Sequence, residues 1–487
     1  MKLEDILKGS PILKLTGKNE EISGISYNSR KIHPGYIFAA LKGEKLNGYN
    51  FINEAIDRGA IAIISEQAKP PNFTKTWIQV SDARKTLALC SDNYYSHPSK
   101  NMKIIGVTGT KGKTTVAYLL ERIIKEANFN PGVIGTISYR GMNEEIPAER
   151  TTPEAPDLQR MLKEMLDSGI THCVIEVSSH SLVLKRVEGI EFDVTVFTNL
   201  SGDHLDYHHS MENYFEAKKR LFISKRKNRI AVINTDNSWG KKLMSQISTG
   251  IISFGLRNPA TVKCEEYEFN DEGIKLFIKY PGGKMELSSP LLGKPNIYNI
   301  LASVSTALSL NIPLFAIKKG VASLRMVPGR FEKIENPLGL NIFVDYAHTD
   351  DALKNLLETA RELSKGRIIL VFGAGGDRDK TKRPRMGEVA GFLADWIILT
   401  SDNPRSEDPM SIISDIEKGV KKTGTKQYEI LLNRKEAIKR ALSSGKRGDH
   451  ILVAGKGHEK HQTIKDKIIP FNDKEIIISM LKEMEIN

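Results

Sequence analysis

The chain has 487 residues, 40% of them hydrophobic, and a formal net charge of +12. That is enough apolar material for packed cores in about three domains and far from the composition of a disordered chain. The lysines are spread along the chain among acids, with no arginine-rich arm and no aromatic–basic interleaving, so small polyanionic ligands explain the charge better than nucleic acid does.

The N-terminal Met-Lys-Leu-Glu-Asp-Ile-Leu-Lys carries acids and no long apolar region, so it does not read as a secretory signal, and no run is long enough to span a bilayer. Cys90, Cys173 and Cys264 lie far apart without metal-binding spacing, and Cys90 and Cys173, in apolar contexts, read as core residues. A reducing, cytoplasmic setting is the expectation.

Residues 1–98 mix short strands and helices, with a helix expected over Phe51–Ala60 and a strand at Ala62–Ser65. Tyr95–Asn101, with proline and polar residues, reads as a linker. A second unit, 99–330, alternates strands and helices. Its strands are expected at Ile104–Val107, Cys173–Val177, Val194–Phe197 and Ile230–Ile233, a pattern that favours a parallel sheet covered by helices. A break at Val327-Pro-Gly-Arg-Phe331 precedes a third unit, 331–487. Strands at Ile342–Asp345, Arg367–Phe372, Trp396–Thr400 and His450–Ala454 there suggest a Rossmann-like sheet. The fold class is therefore α/β in three domains: a small N-terminal α/β unit, a central nucleotide-binding parallel sheet and a C-terminal Rossmann-like unit.

Gly106-Val-Thr-Gly-Thr-Lys-Gly-Lys-Thr-Thr115 carries the most chemistry. It follows a strand-like run and opens a helix whose apolar face is Val116, Leu119, Leu120, Ile123 and Ile124. Strand, glycine turn and helix N-terminus form a phosphate cradle; Lys113 can reach the β- and γ-phosphates and Thr114 can offer a hydroxyl to Mg²⁺. The spacing departs from the commonest phosphate loop, because Val107 stands where its first glycine would be.

Glu176 ends a strand just before Ser178-Ser-His180, and Asp203-His204 follows the turn Asn199–Gly202. Acids and imidazoles at strand tips beside a phosphate loop favour a metal–nucleotide site. Lys218 lies on the helical pattern Met211–Phe222, where composition alone suggests a solvated face. In the third unit, Gly373–Asp379, Asp402-Asn-Pro-Arg405 and Gly455-Lys-Gly-His-Glu459 end successive strands. Together they supply arginine for a carboxylate and acids for an ammonium, the pattern a zwitterionic amino acid needs.

These segments, with Asn28-Ser-Arg30, Thr151-Thr-Pro153, Asp203–His208, Ala217-Lys218, Gly293–Asn299, Gly329-Arg330 and Asp345-Tyr-Ala-His348, make the whole chain resemble a Mur ligase of the MurE type. Such enzymes add the third residue of the peptidoglycan stem peptide to UDP-N-acetylmuramoyl-L-Ala-D-Glu. The resemblance implies ATP as co-substrate on Gly109, Thr110, Lys111, Gly112, Lys113, Thr114 and Thr115, with Asn296, Asn299, Arg330 and Asp345 near the nucleotide. It implies Mg²⁺ on Thr114 and Glu176, and a second ion served by His204 and by Lys218 carrying a CO₂-derived carbamate. Lys113, Glu176, His204 and Lys218 thus form the implied catalytic set.

Ser29, Glu44, Lys45, Leu46, Thr151, Thr152, Ser178, Arg186 and Lys218 would meet the UDP-muramoyl-dipeptide. Arg378, Asp402, Asn403, Pro404, Arg405, Gly455 and Glu459 would hold the amino acid. Asp-Asn-Pro-Arg at 402–405 resembles the enzymes that add meso-diaminopimelate rather than L-lysine. A guanidinium grips the extra carboxylate of diaminopimelate and repels the ammonium of lysine, so Arg405 is the specificity residue expected. Lysine addition, or from another class a phosphate-loop NTPase acting on nucleic acid, are the competing readings. The resemblance implies small-molecule partners only, a monomer, and a C-terminal unit that closes on hinges near Ser99 and Val327. Lys111 departs from the family's usual Asn, Asp350 from its Pro, and Leu184 from the Gln of some members.

Overall fold

The computed structural model describes residues 1–43, 46–223, 229–270 and 272–486. Its three large sheets follow one another along the chain, a two-stranded ribbon at His461–Ile464 and Lys467–Pro470 accompanies the third, and the fold is a three-domain α/β arrangement. The first sheet has five strands, parallel except for Ile12–Thr16, which runs antiparallel to Thr76–Val80 along one edge. The helix expected over Phe51–Ala60 is shorter. Asn47 caps a 3₁₀ turn at Gly48–Phe51, the α-helix occupies Ile52–Asp57, and Ala60 already begins the strand Ala60–Ser65.

The central sheet has eleven strands. Lys103–Thr108 lies in its middle, flanked in parallel by Val194–Phe197 and His172–Glu176. Parallel pairing continues outwards as far as Val262–Asn270 on one side and Pro131–Ile134 on the other. Antiparallel strands then extend both edges: Gly273–Tyr280 and Gly283–Ser289 at one, Ser138–Arg140 and Ile146–Pro147 at the other. Apolar clusters cover both faces. One joins Val107 and Val196 to Val116, Leu120 and Ile123 of helix Lys113–Glu126; the other joins Ile104 and Ile175 to Leu158, Leu162, Phe215 and Phe222. A strand buried on both faces reads as a continuous apolar run, which is why these central strands are plain in the sequence.

The third sheet has six strands, parallel except for Glu332–Ile334 at one edge. It too is apolar on both faces. In open parallel sheets ligands collect beyond the carboxyl ends of the strands. The central and C-terminal sheets direct those ends at one another: Lys111 in the central loop pairs with Asp351, and Lys294 pairs with Glu362, both partners lying on the C-terminal helix Asp350–Leu363. The N-terminal unit docks through Tyr27, which donates to Asp157 at 3.0 Å, and through a Lys185–Asp82 pair. Among the described residues no helix is long and apolar enough to cross a membrane.

Candidate active site

Strand Lys103–Thr108 delivers the chain into the loop 109–112, and helix Lys113–Glu126 leaves it. No side chain caps that helix, so its first backbone N–H groups stay available for an anion. Gly112 has φ +87°, and a Cβ there would lie 2.3 Å from Asn299 Oδ1, so both conformation and space demand glycine. Asn199 fixes the loop: its carbonyl accepts from Thr110 N at 2.9 Å and its Oδ1 from Lys111 N at 3.0 Å. Lys113 lies back along the loop, its ammonium donating to the carbonyls of Gly109 (2.9 Å) and Thr110 (3.0 Å). Burial lowers its pKa. Thr114 and Thr115 are buried in the first helical turn.

Glu176 faces this helix from the neighbouring strand. Its Oε2 accepts from the hydroxyls of Thr114 (3.0 Å) and Thr136 (2.9 Å), and its Oε1 from Thr136 N (3.0 Å). Lys218 contradicts the solvated face that composition suggests. It is 1% exposed, and its Nζ donates to the Gly109 carbonyl at 2.9 Å. Helix Met211–Lys219 packs on the core through Tyr214 and Phe215, which turns Lys218 inward. Burial first, and then the charge of Lys113, hold its pKa well below the ordinary lysine value. His204 adopts φ +53° at the start of helix Leu205–His208. Its Nε2 lies 3.5 Å from Asp203 Oδ2, and its ring meets His180 edge-on at 4.9 Å. Burial pushes the imidazole well down, while the neighbouring charges hold the Asp203 carboxyl below its ordinary value against its own burial.

Hydroxyl and carboxylate oxygens at Thr114 and Glu176 suit a hard cation such as Mg²⁺, and a neutral His204 offers nitrogen to a second. Among the described residues no three His, Cys, Asp or Glu side chains converge into a metal cage. Ions here would therefore draw further ligands from hydroxyls and nucleotide phosphates. The neutral amine is the form of lysine that adds CO₂, and burial favours that form at Lys218, so the position fits the implied carbamate.

Beside the loop opens a cavity of about 740 Å³ bounded by Lys111, Gly112, Asn234, Tyr298, Asn299, Asp351 and Thr359. Asn299 lies at its wall, donating to Asn296 Oδ1 at 2.8 Å, while Asn296 donates to the Leu292 carbonyl at 2.7 Å. Arg330, where the second unit passes into the third, reaches to within 3.5 Å of Thr114 Oγ1 and stacks over Tyr346 at 4.8 Å. Asp345 is used by its own loop: it accepts from Phe331 N at 2.6 Å and Ala347 N at 2.7 Å, and burial raises its pKa.

On the other side of Glu176, Thr152 donates to the Glu176 carbonyl at 2.8 Å and accepts from Ser178 N at 3.1 Å. Thr151 contacts Thr136 hydroxyl to hydroxyl at 3.2 Å. Ser178 caps helix Ser179–Val183, and Arg186 donates to the Thr152 carbonyl at 3.1 Å while pairing with Glu154 at 2.8 Å. Ser29 sits in the first domain, bound to Glu54 at 2.9 Å, and Leu46 is exposed. Glu44 and Lys45 lie outside the described residues.

At the C-terminal sheet, Asp402, Asn403, Pro404, Arg405, Gly455 and Glu459 are brought together. Asn403 donates to Glu459 Oε2 at 2.7 Å, and Arg405 donates to the Gly376 carbonyl at 2.6 Å. Gly455, at φ +114°, lies so close to Asp402 that a Cβ would fall 2.5 Å from Oδ2. The Arg378 and Glu459 charges both face Arg405. Arg378 is exposed and donates to the Asp377 carbonyl at 3.1 Å.

Several structural partners escape the sequence reading. Asn199 and Lys456 lie inside motifs it singles out, yet their neighbours on those loops draw the attention. His348 likewise ends the Asp345–His348 motif, whereas Thr136 and Asp351 approach the site only through tertiary folding and leave no local signal.

Comparison with known proteins agrees in all three units. The Mur ligase family catalytic domain matches residues 21–95, the Mur ligase middle domain 107–307, and the Mur ligase glutamate ligase domain 329–457. A UDP-N-acetylmuramoyl-L-alanyl-D-glutamate--2,6-diaminopimelate ligase of Caldanaerobacter subterraneus subsp. tengcongensis is 43% identical over 485 residues, covering 100% of both chains. A solved structure of a UDP-N-acetylmuramoyl-L-alanyl-D-glutamate--2,6-diaminopimelate ligase superposes with a TM-score of 0.70 at 31% identity, over 100% of this chain and 99% of that one. A MurF ligase from Thermotoga maritima in complex with ADP shares the fold at 22% identity, with a TM-score of 0.64 over 95% and 96% of the two chains. The chain belongs to the Mur ligase family.

Proposed function

We propose that this protein is an ATP-dependent amide ligase that joins meso-2,6-diaminopimelate to UDP-N-acetylmuramoyl-L-Ala-D-Glu in the synthesis of peptidoglycan precursors. The observation that carries the reading is 43% identity over the full length of both chains with a ligase of that name, together with the phosphate loop and the Asp402-Asn-Pro-Arg405 motif. A carboxylate is a poor electrophile, so it must first be activated. The D-Glu γ-carboxylate attacks the γ-phosphate of ATP and forms an acyl phosphate and ADP. The amine of diaminopimelate then attacks the acyl carbon, and phosphate leaves from the tetrahedral intermediate.

Lys113 neutralises charge on the transferring phosphoryl group, and the N–H groups of the loop and helix cradle the phosphates. Thr114 and Glu176 would hold one Mg²⁺; His204 and a carbamylated Lys218 would hold a second. When bound, these ions supply further charge neutralisation at the phosphates. Lys218 suits that role as a carbamate, since an ammonium would repel the ion. Asn296, Asn299, Arg330 and Asp345 border the nucleotide. Thr151, Thr152, Ser178 and Arg186 grip the muramoyl-dipeptide, and Ser29 and Leu46 lie toward its uridine end. Arg405 binds the distal carboxylate of diaminopimelate, while Asp402 and Glu459 face its ammonium groups.

Water would hydrolyse the acyl phosphate, so the C-terminal unit closes over the central one, pivoting near Val327. We assign the domains as 1–98, 99–330 and 331–487, and infer a cytoplasmic monomer that binds no nucleic acid. The test is ADP release by the purified protein with UDP-MurNAc-dipeptide, ATP and Mg²⁺. Release should depend on diaminopimelate and be weak with lysine; release driven equally by lysine, or by DNA or RNA, would refute the assignment.

A further inference from the structure

Lys456 stands in none of the roles above, yet it is 0% exposed and lies under the amino-acid pocket. Its ammonium has three protons and meets three acceptors: the His461 carbonyl at 2.6 Å, Glu459 Oε2 at 3.1 Å and Asn403 Oδ1 at 3.2 Å. Asp402 Oδ1 lies a further step away, at 3.9 Å. One buried cation therefore touches or faces three side chains of the pocket.

This geometry reinforces the orientation that the Asn403–Glu459 bond sets. Asn403 Oδ1 receives two donors, Lys456 Nζ and Thr463 N (2.9 Å), while its Nδ2 donates to Glu459 Oε2 (2.7 Å). A flipped amide would press its NH₂ against an ammonium and a backbone N–H. Glu459 Oε2 is committed to Asn403 and Lys456, which leaves Oε1 as the oxygen neither uses. Burial opposes the charge of Glu459, and Lys456, the Asn403 hydrogen bond and His458 together outweigh that opposition, holding the carboxyl below its ordinary value.

We propose that Lys456 is a positioning residue for the amino-acid substrate. It locks the Asn403 amide with an N–H toward the pocket and keeps Glu459 an ordered anion, so that the pocket presents one donor and one acceptor to a zwitterion. The inference rests on the reading that this pocket receives diaminopimelate.

The test is steady-state kinetics of Lys456→Met, alone and combined with Glu459→Gln. The expected result is a KM for diaminopimelate raised roughly 30-fold or more, the scale for unpairing a buried charge, with the KM for ATP and the ATP-induced thermal shift unchanged. Because Lys456 acts through Glu459, its effect should shrink in the Glu459→Gln background. If Lys456→Met loses the ATP-induced shift and so fails to fold, Lys456→Gln, which keeps a donor for Asn403 but no charge, is judged by the same criteria. An unchanged KM for diaminopimelate in a folded variant, or fully additive effects in the double variant, overturns the role of Lys456. A parent protein that ligates no diaminopimelate overturns the reaction assignment instead.

Discussion

Lys218 and Arg405 show what single side chains decide. Lys218 is buried at the phosphate loop, where burial disfavours its ammonium form, and as an unmodified amine it adds no oxygen to the site. Lys218→Ala should lose most activity, and a small carboxylate such as formate should restore part of it; full activity in the variant would refute the assigned role. Arg405 is held at φ +51° with its guanidinium on the Gly376 carbonyl, beside Glu459 and Arg378. Arg405→Ala should cost about 2–5 kcal/mol in preference for diaminopimelate over lysine, the scale for losing one partner of a buried charge pair. Equal use of diaminopimelate by variant and parent, measured as kcat/KM, would remove Arg405 from the pocket.

Elements set what these residues can do. The loop 109–112 works because glycine lets it pass beneath Asn299, so Gly112→Ala should abolish ATP binding in calorimetry while also lowering the melting temperature. The loop after Arg405 is tied to helix Lys382–Leu393 by Glu407, which meets Arg383 at 2.9 Å and Lys380 at 3.1 Å and is held at about 2, against an ordinary 4.5. A depressed carboxyl stabilises the fold fully above its unfolded value and loses that contribution as pH falls through the folded one. Glu407→Gln should therefore flatten the loss of stability between about pH 4.5 and 2, seen as a shallower fall in melting temperature; an unchanged acid limb would contradict this.

The phosphate loop was legible because strand, glycine turn and amphipathic helix each leave a local pattern, and the central strands because burial on both faces makes them continuous apolar runs. The antiparallel edge strands at 262–289 were not legible: they are half-exposed, and alternation such as that of Val262–Asn270 names no partner. Lys218 was misread from composition because its neighbours are charged, and only the packing of Tyr214 and Phe215 shows which way the helix faces.

At the scale of the molecule, the two sheets meet across the nucleotide cavity, and two ion pairs bracket it. Lys111 and Lys294 of the central unit hold Asp351 and Glu362, both on helix Asp350–Leu363. Burial lowers the pKa of Lys111 and the charge of Asp351 opposes that shift. Each pair contributes no more than about 1 kcal/mol, enough to bias the proposed closure but not to lock it. Asp351→Asn should enlarge the nucleotide-free radius of gyration in small-angle scattering; an identical profile would show that the pair does not bias closure.

The central claim is that the three units converge to activate a carboxylate and capture it with an amine. The most direct test supplies the purified protein with UDP-MurNAc-L-Ala-D-Glu, ATP, Mg²⁺ and meso-diaminopimelate and weighs the nucleotide-sugar product by mass spectrometry. The account predicts a product heavier by one diaminopimelate less one water, formed only with ATP; an unextended dipeptide in the complete mixture would contradict it.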